Sequence, residues 1–391
     1  MEEQIDKQTG LPIDLLGRWG VGCEGQAIDR EDGTRQHDLT LVRLLEEDET
    51  DGVMAATALL HRQVNSPYNR LDEKFTAFFS GIDEAHDALS RRDGRPPPLQ
   101  ERFAEVLTAF RVYLNRTPSV LAELHGAKSA VERAFKSACT AEYDRLFDYR
   151  LAYNLRNESD HRTDVVDVSF KARVTGPQSS EQLVTITINN DVLDHAMTDD
   201  RWQARVRKEL ATHPRPISGE ELLRALHTSV QRILAKTILA QRASIEAAIV
   251  TVRAVAGEIE CDGERVLMRY GRPDPDFPGA RQKLQMQPVQ TRAADTLEKA
   301  LEDSEKLLWE AFVMPLGCAG PALDIPALEP ALGTNRSVSV VAVRVRPEAG
   351  AFAVVRAPSP EVARDAVIQA GMTLWPPGSG LRVGPARPVG D

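Results

Sequence analysis

Residues 101–125 read ERFAEVLTAFRVYLNRTPSVLAELH, and this stretch decides the fold. Phe103, Val106, Leu107, Phe110, Tyr113 and Leu114 recur at steps of three and four, so they share one face of an α-helix. Thr117-Pro118 predicts an interruption, with Thr117 as an N-cap and Pro118 at the first position of a new helix. Gly126 predicts a break or bend. Beyond it, Val131, Phe135, Ala138, Cys139, Leu146, Tyr149 and Tyr153 carry the helical period to about residue 161. Residues 100–161 therefore predict a helical hairpin with a long second arm.

Upstream, residues 53–90 predict helix, broken at Asn65-Ser66-Pro67 because proline disfavours helix in the residue before it. Arg91 to Pro98 reads as a loop. Residues 1–52 read as an irregular N-terminal segment ending in one strand or helix, Leu39 to Leu45, followed by a solvated acidic turn from Glu46 to Asp51. Gly17, Gly20, Gly22 and Gly25 lack the Gly-Lys-Ser/Thr ending of a phosphate loop and read as a flexible turn.

Downstream the period switches to two. Val166, Val168, Phe170 and Ala172 alternate with polar residues, and Leu183 to Ile188 is β-branched, which predicts a hairpin over about 165–189. Helix returns near Trp202 to Leu210. Ser218-Gly219-Glu220-Glu221 is a capping box that opens a long, bending helix to Ala256. A second hairpin is expected over about 258–270, turning at Asp262-Gly263. Then come a Pro-rich linker (272–290), an amphipathic helix (291–313), a second linker (314–335) and a small ββαβ module (336–391). The expected fold class is mainly α: a helical bundle over 53–271 with two β-hairpin insertions, and a small α/β C-terminal module.

Composition narrows the function. Hydrophobic residues at 42% and charged residues at 27% exclude a mainly disordered chain. A net charge of −10 excludes a bulk nucleic-acid coat but leaves room for a local basic site. The four cysteines, at 23, 139, 261 and 318, are too scattered for a CxxC zinc site, and Cys139 falls in the apolar stripe. No apolar window is long enough to span a membrane and the acidic N-terminus is no signal peptide, so the expected location is cytoplasmic, with no membrane partner. Asp191, Asp194, His195, Asp199 and Asp200 read as a hairpin exit and helix cap rather than a metal site. No metal and no cofactor is expected.

The run from Tyr149 to His161, YRLAYNLRNESDH, carries the chemistry. Tyr149, Tyr153, Asn157 and His161 lie on one i+4 row, and Arg156, seven residues after Tyr149, flanks it. An inward stripe that turns polar in its last turns builds either a buried polar network or a site. Arg156-Asn157 followed by His161 resembles the HEPN superfamily of helical bundles, and the resemblance covers about residues 60–165. It implies a metal-independent endoribonuclease that dimerises, with catalytic Arg156, Asn157 and His161 paired across a composite cleft. The setting it implies is RNA-targeting stress response or phage defence, with a protein partner such as an antitoxin. Chemically, a histidine near its ordinary pKa moves protons, and a guanidinium clamps phosphate oxygens. Arg156 and His161 sit roughly 140° apart on an ideal helix, so two copies converge on one phosphate better than one. The same residues have a structural reading, in which Arg156 pairs with Asp160 or caps the helix end. Residues 101–162 hold ten Lys/Arg and nine Asp/Glu, so no basic track marks an RNA path. The alternative expectation is a non-enzymatic helical scaffold or adaptor that binds protein partners.

Overall fold

The structure is a computed structural model that describes residues 18–29, 35–91, 96–158, 165–176, 179–260, 263–270, 284–308, 310–318, 330, 332, 339–346, 350–357, 360–374, 381–383 and 387–388. Its helices are α1 (Glu47–Val64), α2 (Pro67–Arg91), α3 (Leu99–His125), α4 (Ala130–Arg145), α5 (Phe147–Glu158), α6 (Asn190–Thr198), α7 (Ala204–Leu210), α8 (Gly219–Ala240), α9 (Arg242–Gly257), α10 (Thr291–Leu308) and α11 (Pro360–Leu374). Its strands are β1 (Trp19–Asp29), β2 (Arg35–Leu44), β3 (Val166–Gly176), β4 (Ser179–Ile188), β5 (Glu264–Tyr270), β6 (Leu284–Pro288), β7 (Glu310–Cys318), β8 (Ser339–Arg346), β9 (Gly350–Ala357), β10 (Leu381–Val383) and β11 (Arg387–Pro388). The fold is mainly α with small antiparallel sheets, as the periodicity predicts.

Local chemistry sets many boundaries. Helix α2 starts at Pro67, where proline's missing N–H costs nothing. Ser218 Oγ accepts from the Glu221 amide at 3.2 Å and opens α8. Gly126 ends α3 with φ +84°, a backbone conformation that favours glycine. The expected hairpin forms as β3–β4, with Val166 opposite Ile188 and Phe170 opposite Val184.

Other expectations are corrected. Helix α3 runs through Pro118 without interruption, and Thr117 is no N-cap: its hydroxyl donates to the Tyr113 carbonyl at 2.7 Å. The apolar stripe continues across the proline, with Tyr113 and Leu121 both buried, and this burial outweighs one lost backbone bond. The long second arm is two helices, because Leu146 is extended with ψ 128° and redirects the chain into α5. Among its described residues the N-terminal segment is not irregular. It forms the β1–β2 pair, and the acidic turn is the start of α1, whose capping box joins Glu46 and Glu49. Among the described residues of the second expected hairpin no strand precedes residue 263: β5 pairs with β1 (Trp19 opposite Arg269) and with β6, giving the order β2-β1-β5-β6. The first linker thus contains β6. Helix α10 stops at Leu308, and β7 takes the end of the expected helix and the start of the second linker. In the C-terminal module β8, β9, α11 and β10 follow in the predicted order, with β7 inserted to give β10-β7-β9-β8.

Among the described residues two large hydrophobic cores form. The first joins α2 to α7, the base of the β3–β4 hairpin and the first part of α8, around Phe75, Phe103, Phe110 and Tyr149. The second joins β1, α1, α9, β5 and α10 around Val21, Leu60, Ile245 and Leu267. Within the expected bundle over 53–271 the boundary between the two cores falls on α8, which ends at Ala240 before α9 begins. Among the described residues no helix is long and apolar enough to cross a membrane. Cys23, on β1, is disulfide-bonded, a state that oxidising compartments favour, so it lends the cytoplasmic expectation no support.

Candidate functional site

Helix α5 carries the motif and is buried on most of its circumference. Leu151, Ala152 and Leu155 are fully buried, and Arg150 is 4% exposed. Arg150 pins the helix. Its Nε and Nη2 atoms donate to Glu209 on α7 at 2.9 and 2.8 Å, and Nη1 donates to the carbonyls of Tyr143 and Asp144 at 2.6 and 3.0 Å. These are the last carbonyls of α4, which lack helical partners, so one guanidinium caps α4 and docks α7. Glu158, also buried, accepts from Trp202 Nε1 at 3.3 Å.

Arg156 turns inward. It is 9% exposed, and its guanidinium lies 3.6 Å above the centre of the Tyr153 ring. Tyr153 meets Tyr143 edge to face at 5.6 Å, and the Tyr143 hydroxyl donates to Gln203 Oε1. These groups wall an open pocket of about 440 Å³ between α3, α4 and α5, which Phe135, Cys139 and Tyr149 also line. Burial pushes the Cys139 thiol up to about 12 and drives the Tyr149 hydroxyl well above the usual tyrosine range. Both stay protonated at neutral pH, so the pocket offers neutral hydrogen-bonding groups, aromatic faces and cations rather than an anionic nucleophile.

Of the expected site residues the structure describes Arg156 and Asn157, and it sets these two apart. Arg156 lines the pocket, Asn157 is exposed and does not line it, and His161 lies outside the described residues. The reason is helical drift. Each i+4 step rotates by about 40°, so Asn157 stands about 80° from Tyr149, whereas Arg156, at i+7, stands only about 20° from it. That signal is present in the spacing. Tyr143 was also within reach, one i+4 step beyond Cys139 in the apolar stripe. Gln203, from the segment between α6 and α7, reaches the pocket only through tertiary packing.

The acidic cluster after the first hairpin is structural. Asn189 caps α6, Asp194 pairs with Arg215 at 2.6 Å, and Asp199 pairs with Arg201 at 2.6 Å and His195 at 3.3 Å. Among the described residues no group of His, Cys, Asp and Glu is placed to hold a metal ion. Comparison with protein-family models, with curated proteins and with solved structures finds no match for this chain.

Proposed function

We propose that this chain is a HEPN-like, metal-independent endoribonuclease that acts as a homodimer in an RNA-targeting stress or phage-defence response. The observation that carries the reading is Arg156. Five residues before His161, its guanidinium is held by stacking on Tyr153 in the wall of an open pocket. A cation fixed before substrate arrives needs little reorganisation as charge develops on phosphorus. In this reading Arg156 clamps phosphate oxygens, His161 moves the proton of the 2′-hydroxyl or the leaving oxygen, and the exposed Asn157 orients the phosphate from outside the pocket. A second copy supplies the facing motif.

The test incubates the protein with mixed RNA in EDTA, beside Arg156→Ala and His161→Ala variants that melt like wild type. Products ending in 2′,3′-cyclic phosphate, with His161→Ala slower by about 10²–10⁴, are expected. Equal cleavage by all three proteins refutes the site. A second reading, a non-enzymatic adaptor for a protein partner, is favoured by Phe170, which stands 41% exposed on the two-stranded β3–β4 hairpin. It gains if the wild-type protein cleaves no RNA.

A further inference from the structure

We infer that the pocket between α3, α4 and α5 is a subsite for one unpaired nucleobase together with its phosphate. This deepens the endoribonuclease reading, on which it rests for its substrate, but its evidence is separate: the walls of the pocket rather than the motif.

The walls are aromatic. Tyr143 and Tyr153 stand edge to face at 83°, Arg156 covers one face of Tyr153, and Phe135 closes another side. Unpaired bases are held on such faces because every base has a π-surface of its own. The volume, about 440 Å³, falls in the range of small-molecule sites.

The walls also hold hydrogen-bonding groups whose partners within the protein are weak or whose helical partner is missing. Tyr149 is 1% exposed and lines the pocket, and its hydroxyl has no hydrogen-bond partner among the described residues. Its near neighbour is the Cys139 thiol, a weak acceptor at best. Buried hydroxyls are ordinarily satisfied, so one in the wall of a cavity without a strong partner is a candidate to meet a ligand atom. Leu114 and Pro118 line the same pocket, and Pro118 has no N–H to give the Leu114 carbonyl. A hydroxyl and an acceptor beside aromatic faces complement the mixed donor and acceptor edge of a base.

The sign of charge completes the match. Among the described residues both charged groups of the lining, Arg156 and Lys136, are cations. Lys136 also pairs with Glu132 at 2.5 Å, and Arg156 is held against the Tyr153 ring, so the two present positive charge to the pocket from α4 and α5. A purely apolar ligand would leave the Tyr149 hydroxyl unsatisfied, and a cationic one would meet Arg156.

The test titrates full-length protein with each of the four nucleoside 5′-monophosphates and with a short single-stranded RNA, by calorimetry and saturation-transfer NMR. Tyr149→Phe and Tyr153→Leu are run in parallel. We expect saturable one-to-one binding of at least one mononucleotide, with saturation transfer strongest at the base protons. Tyr153→Leu should weaken it roughly 5- to 150-fold, the worth of one base–aromatic stack. Tyr149→Phe should weaken it roughly 2- to 10-fold, the worth of one neutral hydrogen bond. Competition between the mononucleotide and the RNA identifies the base of an RNA strand as the natural occupant, and binding of the mononucleotide without competition overturns that assignment. No binding of any mononucleotide at 10 mM, or binding equal in all three proteins, overturns the subsite, even if RNA is cleaved. Nucleotide binding without any RNA cleavage leaves the subsite standing and overturns the endoribonuclease reading.

Discussion

Tyr149→Phe is the sharpest probe of the pocket because its effects on stability and on binding have opposite signs. Tyr149 is 1% exposed, and its hydroxyl is buried without a hydrogen-bond partner among the described residues. An unsatisfied buried polar group costs about 1–3 kcal/mol. The neighbouring Cys139 thiol recovers part of that, so removing the hydroxyl should stabilise the ligand-free protein by about 1 kcal/mol. The ring itself is unaffected, and its edge-to-face contact with Phe110, at 5.5 Å and 82°, survives. Urea unfolding without ligand should show a higher midpoint at unchanged slope, and the melting temperature should rise by about 2–4 °C. Saturating mononucleotide should reverse the order, because ligand stabilises whichever protein binds it more tightly. A loss of 1 kcal/mol or more in the ligand-free state would refute the reasoning: the hydroxyl would then be making a structural bond, and the pocket would lose its unused polar group.

Arg150→Met should destabilise the first core by about 2–4 kcal/mol in urea unfolding, below the usual cost of breaking a buried ion pair because Glu209 is 30% exposed and rehydrates. An effect under 0.5 kcal/mol would mean that α5 and α7 dock without it. Gly22→Ala should cost at least about 1–3 kcal/mol, since its new Cβ would overlap the Thr40 carbonyl and the Met268 side chain; unchanged melting would contradict the tight β1–β2 register. For Asp199, the Arg201 side chain, donating a hydrogen bond, holds the carboxyl down at about 2, below the unfolded value of about 3.9. A depressed folded pKa stabilises above the unfolded value and ceases to do so as pH falls toward the folded one. Melting measured from pH 4 to pH 2 should therefore fall less steeply in Asp199→Asn than in wild type, and parallel curves would show that the pair contributes nothing.

Half of the candidate site was legible and half was not. The placement of Arg156 beside Tyr149 and Tyr153 follows from 3.6 residues per turn, once the drift of the i+4 row is counted. Tyr143 likewise continues the stripe of α4. Gln203 enters from a segment 47 residues beyond Arg156, and the Arg150–Glu209 pair spans a similar distance, so no local pattern announces either. Which hydroxyl of the pocket lacks a partner is a property of packing, not of spacing.

By itself the sequence determined what depends on neighbours a few residues apart: the 3.6-residue stripes of α2 to α5, the caps at Pro67 and Ser218, the stop at Gly126 and the period-two hairpin β3–β4. Caps, turns and amphipathic faces are local, so their causes sit within one or two turns of chain. Only the tertiary structure decided the rest. Strand β1 is glycine-rich, with weak intrinsic strand preference, and exists because β2 and β5 pair with it, the latter some 250 residues away. Pro118 reads as a helix start, but the buried face on either side of it holds α3 continuous. Strand β7 replaces an expected helix end and linker because β9 and β10 pair with it. In each case a long-range pairing or a shared core supplies more free energy than the local preference it overrides, and that balance is set only when the distant partner is in place.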